Sequence, residues 1–486
     1  MNKLIAVFIF IVVFYPLGNT HAFDFFDGRL YLRGNIHETL NIRTHEDFRD
    51  IRYSSFRTTL RLESIFKITS RPGLDVRIHA LGKYYYDKAL DLDSQQRHAV
   101  REEAGGRHKY RDFRRPRDMD EWLSELYLDV KWETFQIRAG KQIVSWGETA
   151  EDRVADLINP LDTKYMLGYP DWEDFKLGLW MARLFWTPKD IWQDLSFELI
   201  VIPFHFLPQR LPPGGAGLFI GQPLIPNAGY QKMFDKQRRD EPPTNLKNFE
   251  IGLRIRGYAD ILEGIDWAVS HFYTRTDSGL IDGDGGFGNY VNMMLGLPMK
   301  GDVYKYPFYN STAFTFSTTW SRIKAGIRGE VAYNSNKDYQ FGNFGEIKEC
   351  DLLTTALTID KSVMVPYLSR WNKNRSYYFS LTGYQYWLTN HEYNKSTGSY
   401  IYWESGKRDS SWTKFSLVVA TGFWFDRIIV GGYYTYDLNG NTYVSNYVLF
   451  QPGDHWQYLA KYQQVNESGA GRYSDQVVLS IRYEFW

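Results

Sequence analysis

The chain has 486 residues, and its 57 basic and 57 acidic side chains cancel, leaving no net field to attract nucleic acid. Mean hydropathy is -0.44 and no long apolar run follows residue 22, which excludes helical membrane spans beyond that point. Aromatic residues make up 17% of the chain and stand beside 40 Gly, a composition suited to many strands.

Lys3 precedes the apolar run LIAVFIFIVVFYPL and then GNTHA, with Thr20 and Ala22 at the small positions before a cut. The run is short for a bilayer span and fits a secretory signal, residues 1–22, better than an uncleaved anchor. Residues 23–486 are then one exported domain. The lone Cys350 can form no internal disulfide and reads as a stray thiol rather than a nucleophile.

From there the chain alternates. GRLYLRGNIHETLNI sets Leu30, Leu32, Ile36, Leu40 and Ile42 against Arg33, Asn35, His37 and Asn41. SFRTTLRLESIFKI and LDVRIHALGKYYY repeat the design, and so does the closing QVVLSIRYEFW, where Val477, Leu479, Ile481, Tyr483 and Phe485 oppose Gln476, Ser480, Arg482 and Glu484. A period of two with one apolar face is the mark of a strand whose faces meet different solvents. Such segments recur throughout the chain and predict an all-β, transmembrane antiparallel β-barrel of about 18 strands (16 to 18) in a Gram-negative outer membrane, facing lipid outside. Connections alternate between short, as at SRPG, ET after Trp132, ADILEG, FDR and QPGD, and long, as at residues 87–120, 147–172, 203–247 and 277–310. Short periplasmic turns and long extracellular loops in strict alternation follow. Tyr84, Tyr86, Trp122, Trp132, Trp186, Trp320 and Trp424 fall near strand ends, at the level of lipid headgroups.

One stretch is unexplained by strand pattern, RAGKQIVSWGETAEDRVADLINPLD. It resembles the mark of a large, mostly uncharacterised family of proteobacterial outer-membrane proteins, G-[RK]-Q-x-x-x-WGE followed by INP[LV]D, at Gly140, Lys141, Gln142, Trp146, Gly147, Glu148, Ile158, Asn159, Pro160, Leu161 and Asp162. A later block, TALTIDKSVMVPYLSRWNKNRSYYFSLTGYQYW, is similar to that family's second block, with Asp360 in place of its acid and Thr358 where a Gly is usual. The resemblance implies partners: a resistance-nodulation-division (RND) type exporter and a periplasmic lipoprotein, in a setting that moves lipids or hydrophobic compounds. In strand number and charged lumen the chain is more distantly similar to the eighteen-stranded alginate exporter. The terminal Tyr483, Phe485 and Trp486 resemble the signal read by barrel-insertion machinery, although most such barrels stop at the residue matching Phe485.

The polar faces carry Arg33, Arg57, Arg61, Arg77, Arg138, Arg254, Arg256, Arg328 and Arg482 against nearly as many acids. Arginines lining a pore favour anions and grip carboxylates in two-pronged fashion; alternatively they pair across strands and hold the register. With Trp146 ending a strand and Asn159-Pro160 suited to a turn, the WGE…INPLD loop is a candidate plug or an ordinary outer loop. QRLPPGGAGLFIGQPLIPNAGY is either a lid for hydrophobic cargo or disordered.

Three sharper ideas are weaker. Asp282 and Asp284 in DGDGGFGN lack the later acid of a calcium loop. His271 lies on an apolar parity without a Ser or acid placed by any motif, and the basic cluster at residues 105–118 reads as a solvated loop or a contact for anionic outer-membrane lipid. No motif calls for a cofactor, a metal or catalysis. The expectation is an outer-membrane channel or transporter for hydrophobic or amphipathic, acidic compounds or lipids. The alternatives are a general anion-preferring porin, a barrel hydrolase or a surface-binding structural protein.

Overall fold

The computed structural model describes residues 23–44, 51–92, 114–116, 118–149, 152–162, 175–189, 194–207, 240–261, 263–281, 292, 302–341, 346–365, 376–389, 401–403, 406–407, 410–438, 440–466 and 475–485. The signal segment, DGDGGFGN, the Pro/Gly-rich stretch, most of the basic cluster and Trp486 lie outside them.

The wall is built from β1 (Leu30–Thr44), β2 (Ile51–Arg71), β3 (Leu74–Asp87), β4 (Leu123–Trp132), β5 (Phe135–Gln142), β6 (Leu179–Trp186), β7 (Ser196–Ile202), β8 (Glu250–Ala259) and β9 (Ile265–Arg275). It continues through β10 (Phe308–Trp320), β11 (Ala325–Phe341), β12 (Glu346–Val363), β13 (Tyr377–Leu388), β14 (Ser411–Phe423), β15 (Ile428–Asp437), β16 (Thr442–Phe450), β17 (Trp456–Asn466) and β18 (Asp475–Phe485). Each strand pairs antiparallel with the next, and β18 closes on β1 from Gly34↔Phe485 to Thr44↔Asp475. The result is a closed 18-stranded barrel whose only additions to the sheet are the short pieces Phe23–Phe25, Ile401–Trp403 and Gly406–Lys407 among the described residues. Closure satisfies the backbone of both end strands, as a hydrocarbon surrounding demands.

The alternation points the predicted way. Leu479 and Ile481 on β18 are exposed outside, while Gln476 and Ser480 are buried inside. Leu62, Ile78, Leu128, Leu184, Leu253 and Leu381 continue the exposed apolar band around the wall. In water each such side chain would forgo about 1.5–3 kcal/mol of burial, so a belt of them is a lipid-facing surface. At the turn rim Trp186 stacks between Phe135 (6.3 Å) and Phe197 (5.1 Å), and Trp424 stacks on Phe450 at 6.3 Å.

Two expectations change in detail. Long loops do gather at one rim, but the spans between β1 and β2, β11 and β12, β15 and β16, and β17 and β18 on that rim are short, so the alternation is not strict. Trp146 does not end a strand: β5 stops at Gln142, and the chain leaves the wall there.

Candidate functional site: a loop folded across the lumen

Gly140 makes the departure possible. Its φ is +138°, and a Cβ would lie 2.2 Å from the Leu126 carbonyl oxygen, so only glycine fits. Gln142 then donates from Nε2 to the Met181 carbonyl at 3.2 Å, and Lys141, fully buried, holds Asp120 of the short helix α1 (Met119–Trp122) at 2.9 Å. Burial would raise the Asp120 carboxyl, but hydrogen bonds from His205 and Lys141 hold it well below the usual carboxylate range.

The second motif half staples the loop's two ends together. Asn159 accepts from the Val144 amide at 2.7 Å and donates to the carbonyls of Gln142 (3.0 Å) and Leu177 (2.7 Å). The Pro160 carbonyl takes the Leu177 amide, and Asp162 pairs through its backbone with Phe175. An Asn with a Pro after it supplies the side-chain donor and acceptor that an irregular backbone needs inside a barrel.

Between the staples, the loop seats on the wall at successive points. Trp146, 2% exposed, packs with Val144 and Ile158 against the inward faces of Met181, Ile200, Ile202 and Phe272, and donates from Nε1 to Glu198 at 3.2 Å. Gly252 lies beneath it, where a Cβ would come within 2.7 Å of the indole. Glu330 on β11 accepts from the amides of Glu148 (2.5 Å), Thr149 and Ala155 (2.9 Å) and from the Thr149 hydroxyl (2.8 Å). Gly147 passes close to that carboxylate, 3.2 Å from a Cβ to Oε1. Farther on, Asp152 meets Lys414 of β14 at 2.7 Å and the Tyr386 hydroxyl, while Arg153 holds Asp277 at 3.0 Å and the Asn159 carbonyl at 2.7 Å. β14 is half the circumference from β5, so the loop crosses the whole lumen.

The WGE stretch and the later stretch around Asp360 meet through one arginine. Arg328 donates to the Glu148 carbonyl at 2.6 Å and is fixed by Asp360 at 2.8 Å, which also accepts from the Tyr378 hydroxyl at 2.9 Å. The other lumen arginines fall into three groups. Arg33 pairs with Glu63 (2.7 Å), Arg138 with Asp129 (2.8 Å), Arg482 with Glu484 (3.7 Å), and Arg77 with Asp75. Arg57 is buried with its guanidinium over the Tyr85 ring, and Arg61 faces Lys83 across the ladder. Arg254 and Arg256 differ: Arg254 reaches only Glu148, at 3.9 Å, and Arg256 is exposed in the lumen without an ion pair among the described residues.

Tyr483 and Phe485 lie in the last ladder with β1 and β17. His271 faces outward and shares a hydrogen bond with the Thr312 hydroxyl at 2.9 Å; no carboxylate joins them among the described residues. No group of three metal-ligating side chains occurs among the described residues. The sequence pattern gives Glu198, Asp152, Arg153 and Lys414 no individual role, and it places Glu330 on a polar face like any other acid.

A closed barrel with a lipid-facing belt, aromatic rims and a stapled loop across its bore is a membrane β-barrel of the porin type. The chain belongs to the family described as a protein of unknown function, DUF1302, whose model matches residues 35–485. Among solved structures it is similar in fold to OccK9 (OpdG) of Pseudomonas aeruginosa, with TM-score 0.50, 7% identity, and 94% of this chain and 98% of that one covered. OccK5 (OpdH) of the same organism gives 0.49, 9% identity, 94% and 98%. OccAB4 of Acinetobacter baumannii gives 0.47, 12% identity, 94% and 98%. No curated protein matches the sequence.

Proposed function

We propose that the protein is a channel or transporter of a Gram-negative outer membrane for small hydrophobic or amphipathic solutes carrying an acidic group, and that the loop of residues 143–162 sets the passage. The observation that carries this reading is the span of that loop from β5 to β14, with polar and apolar seats on the wall along its way. A lumen built only for mechanical strength needs paired charges across strands; it does not need a stapled chain across its bore. Arg183, Arg254 and Arg256 stand around Glu148 and Glu198 beside this loop, giving three guanidinium groups against two carboxylates and a local bias toward anions. In this reading an RND-type exporter and a periplasmic lipoprotein supply cargo from the turn rim.

Residues 23–486 reconstituted in a planar bilayer across a potassium chloride gradient test it. A steady, small, anion-preferring conductance that rises severalfold when residues 147–157 are replaced by a short Gly-Ser linker is the expected result. Silence from both chains would overturn the channel reading.

A further inference from the structure

Arg254 is a lumen guanidinium beside the crossing loop whose burial is not matched by hydrogen bonds among the described residues. Its side chain is 8% exposed, its Nε is buried without a hydrogen-bond partner among the described residues, and its nearest acid, the Glu148 carboxylate, stands at 3.9 Å. A buried, under-bonded guanidinium is costly, and its fixed fork matches a planar carboxylate at closer range. The neighbouring acid cannot supply that bond, because Glu198 is already committed to Arg183 (2.6 Å) and to the Trp146 indole.

Glu148 is held unevenly. Its amide is bound by Glu330 and its carbonyl by Arg328, so the backbone is fixed, yet its side chain is 36% exposed and lies beyond hydrogen-bond range of Arg254. Arg254 follows Gly252 by two residues on the inward face of β8, which places it next to Trp146 on the side toward the turn rim. Arg256 continues the same face, exposed to the lumen. A loosely held carboxylate thus guards a cation on the turn-rim side of Trp146.

We propose that Arg254 is the binding residue for the carboxylate of a passing solute, and that the Glu148 side chain is the internal carboxylate exchanged for it. The inference rests on the channel reading above and names its substrate class: monocarboxylates with an apolar body. Exchange keeps the guanidinium neutralised throughout, so a solute enters and leaves without uncovering a buried charge.

The test uses residues 23–486 in lipid nanodiscs, titrated calorimetrically with sodium benzoate and, as the uncharged match, benzamide. Benzoate binds and benzamide does not. R254Q weakens benzoate about ten- to hundredfold, as expected for losing a hydrogen bond to a charged group, and R254K falls between it and the parent. E148Q strengthens benzoate about tenfold, because the internal competitor is gone while the backbone bonds stay. R254Q binding like the parent, or E148Q weakening benzoate as R254Q does, would overturn the proposal. Benzoate current in planar bilayers separates the two readings: binding without current sinks the channel and leaves the site, whereas current untouched by R254Q sinks the site alone.

Discussion

Glu330→Ala tests whether the loop is fastened or merely rests in the bore. The carboxylate receives four hydrogen bonds from Glu148, Thr149 and Ala155, two of them of ordinary length at 2.8 and 2.9 Å. Hydrogen bonds to a charged acceptor contribute roughly 1.5–3 kcal/mol each when one partner is deleted. Three of the four share a single oxygen, and lumen water re-bonds part of what is freed, so a net loss of about 3 kcal/mol is the sober figure. That shifts the seated-to-unseated ratio by about 150-fold. The seats at Trp146 and Asp152 remain, so the loop swings partly free while its stapled ends stay. Single-channel recording is the assay: E330A shows frequent steps to a higher conductance level that are rare in the parent, and E330Q, which keeps one acceptor oxygen, lies between. A trace for E330A with the parent's amplitude and step frequency would refute the fastening.

Trp146→Ala removes the indole from its seat against Phe272 and Ile200 and costs about 3–5 kcal/mol of local packing, read as new protease cleavage between residues 143 and 162 in an otherwise intact barrel. Asn159→Asp keeps the acceptor for the Val144 amide but puts a carboxylate against two carbonyls, so the same cleavage appears while the thermal midpoint of the wall changes little. Asp120→Asn tests the Lys141 contact through pH. Because the folded carboxyl is depressed, its stabilisation is fully present above the ordinary carboxylate value of about 4 and is lost as pH falls through the folded value. The parent therefore unfolds at a higher temperature than D120N across pH 5 to 8, and the gap narrows only in stronger acid; a gap that closes between pH 7 and 5 would refute the assignment.

The wall was legible because lipid outside and water inside force a period of two, as Leu479, Ser480 and Ile481 show. Alternation reports two faces without naming the medium on each. Val144 and Trp146 share a parity and read as the end of β5, yet the surface they meet is an internal apolar one. A trace of that surface was present in SFELIVI, which is apolar on both parities: Ile200 and Ile202 point inward at 0% exposure and need a cover. The arginine pairs depend on register, and register depends on bulges such as that between Lys67 and Thr69, which alternation does not locate. Glu330 looked like any other inward acid. Its loop partners lie as far as 182 residues back, and no local pattern joins positions so far apart.

That separation also orders the protein in time. The loop is synthesised with β5, but its anchors on β11, β13 and β14 come much later, and contacts so distant form late because a large chain loop must close first. Until then Val154 and Ala155, which pack on those later strands, have no cover. The chain in transit thus carries an apolar segment in its first third that needs shielding by a chaperone, and the seating of that segment is the step that records whether the far wall has been built.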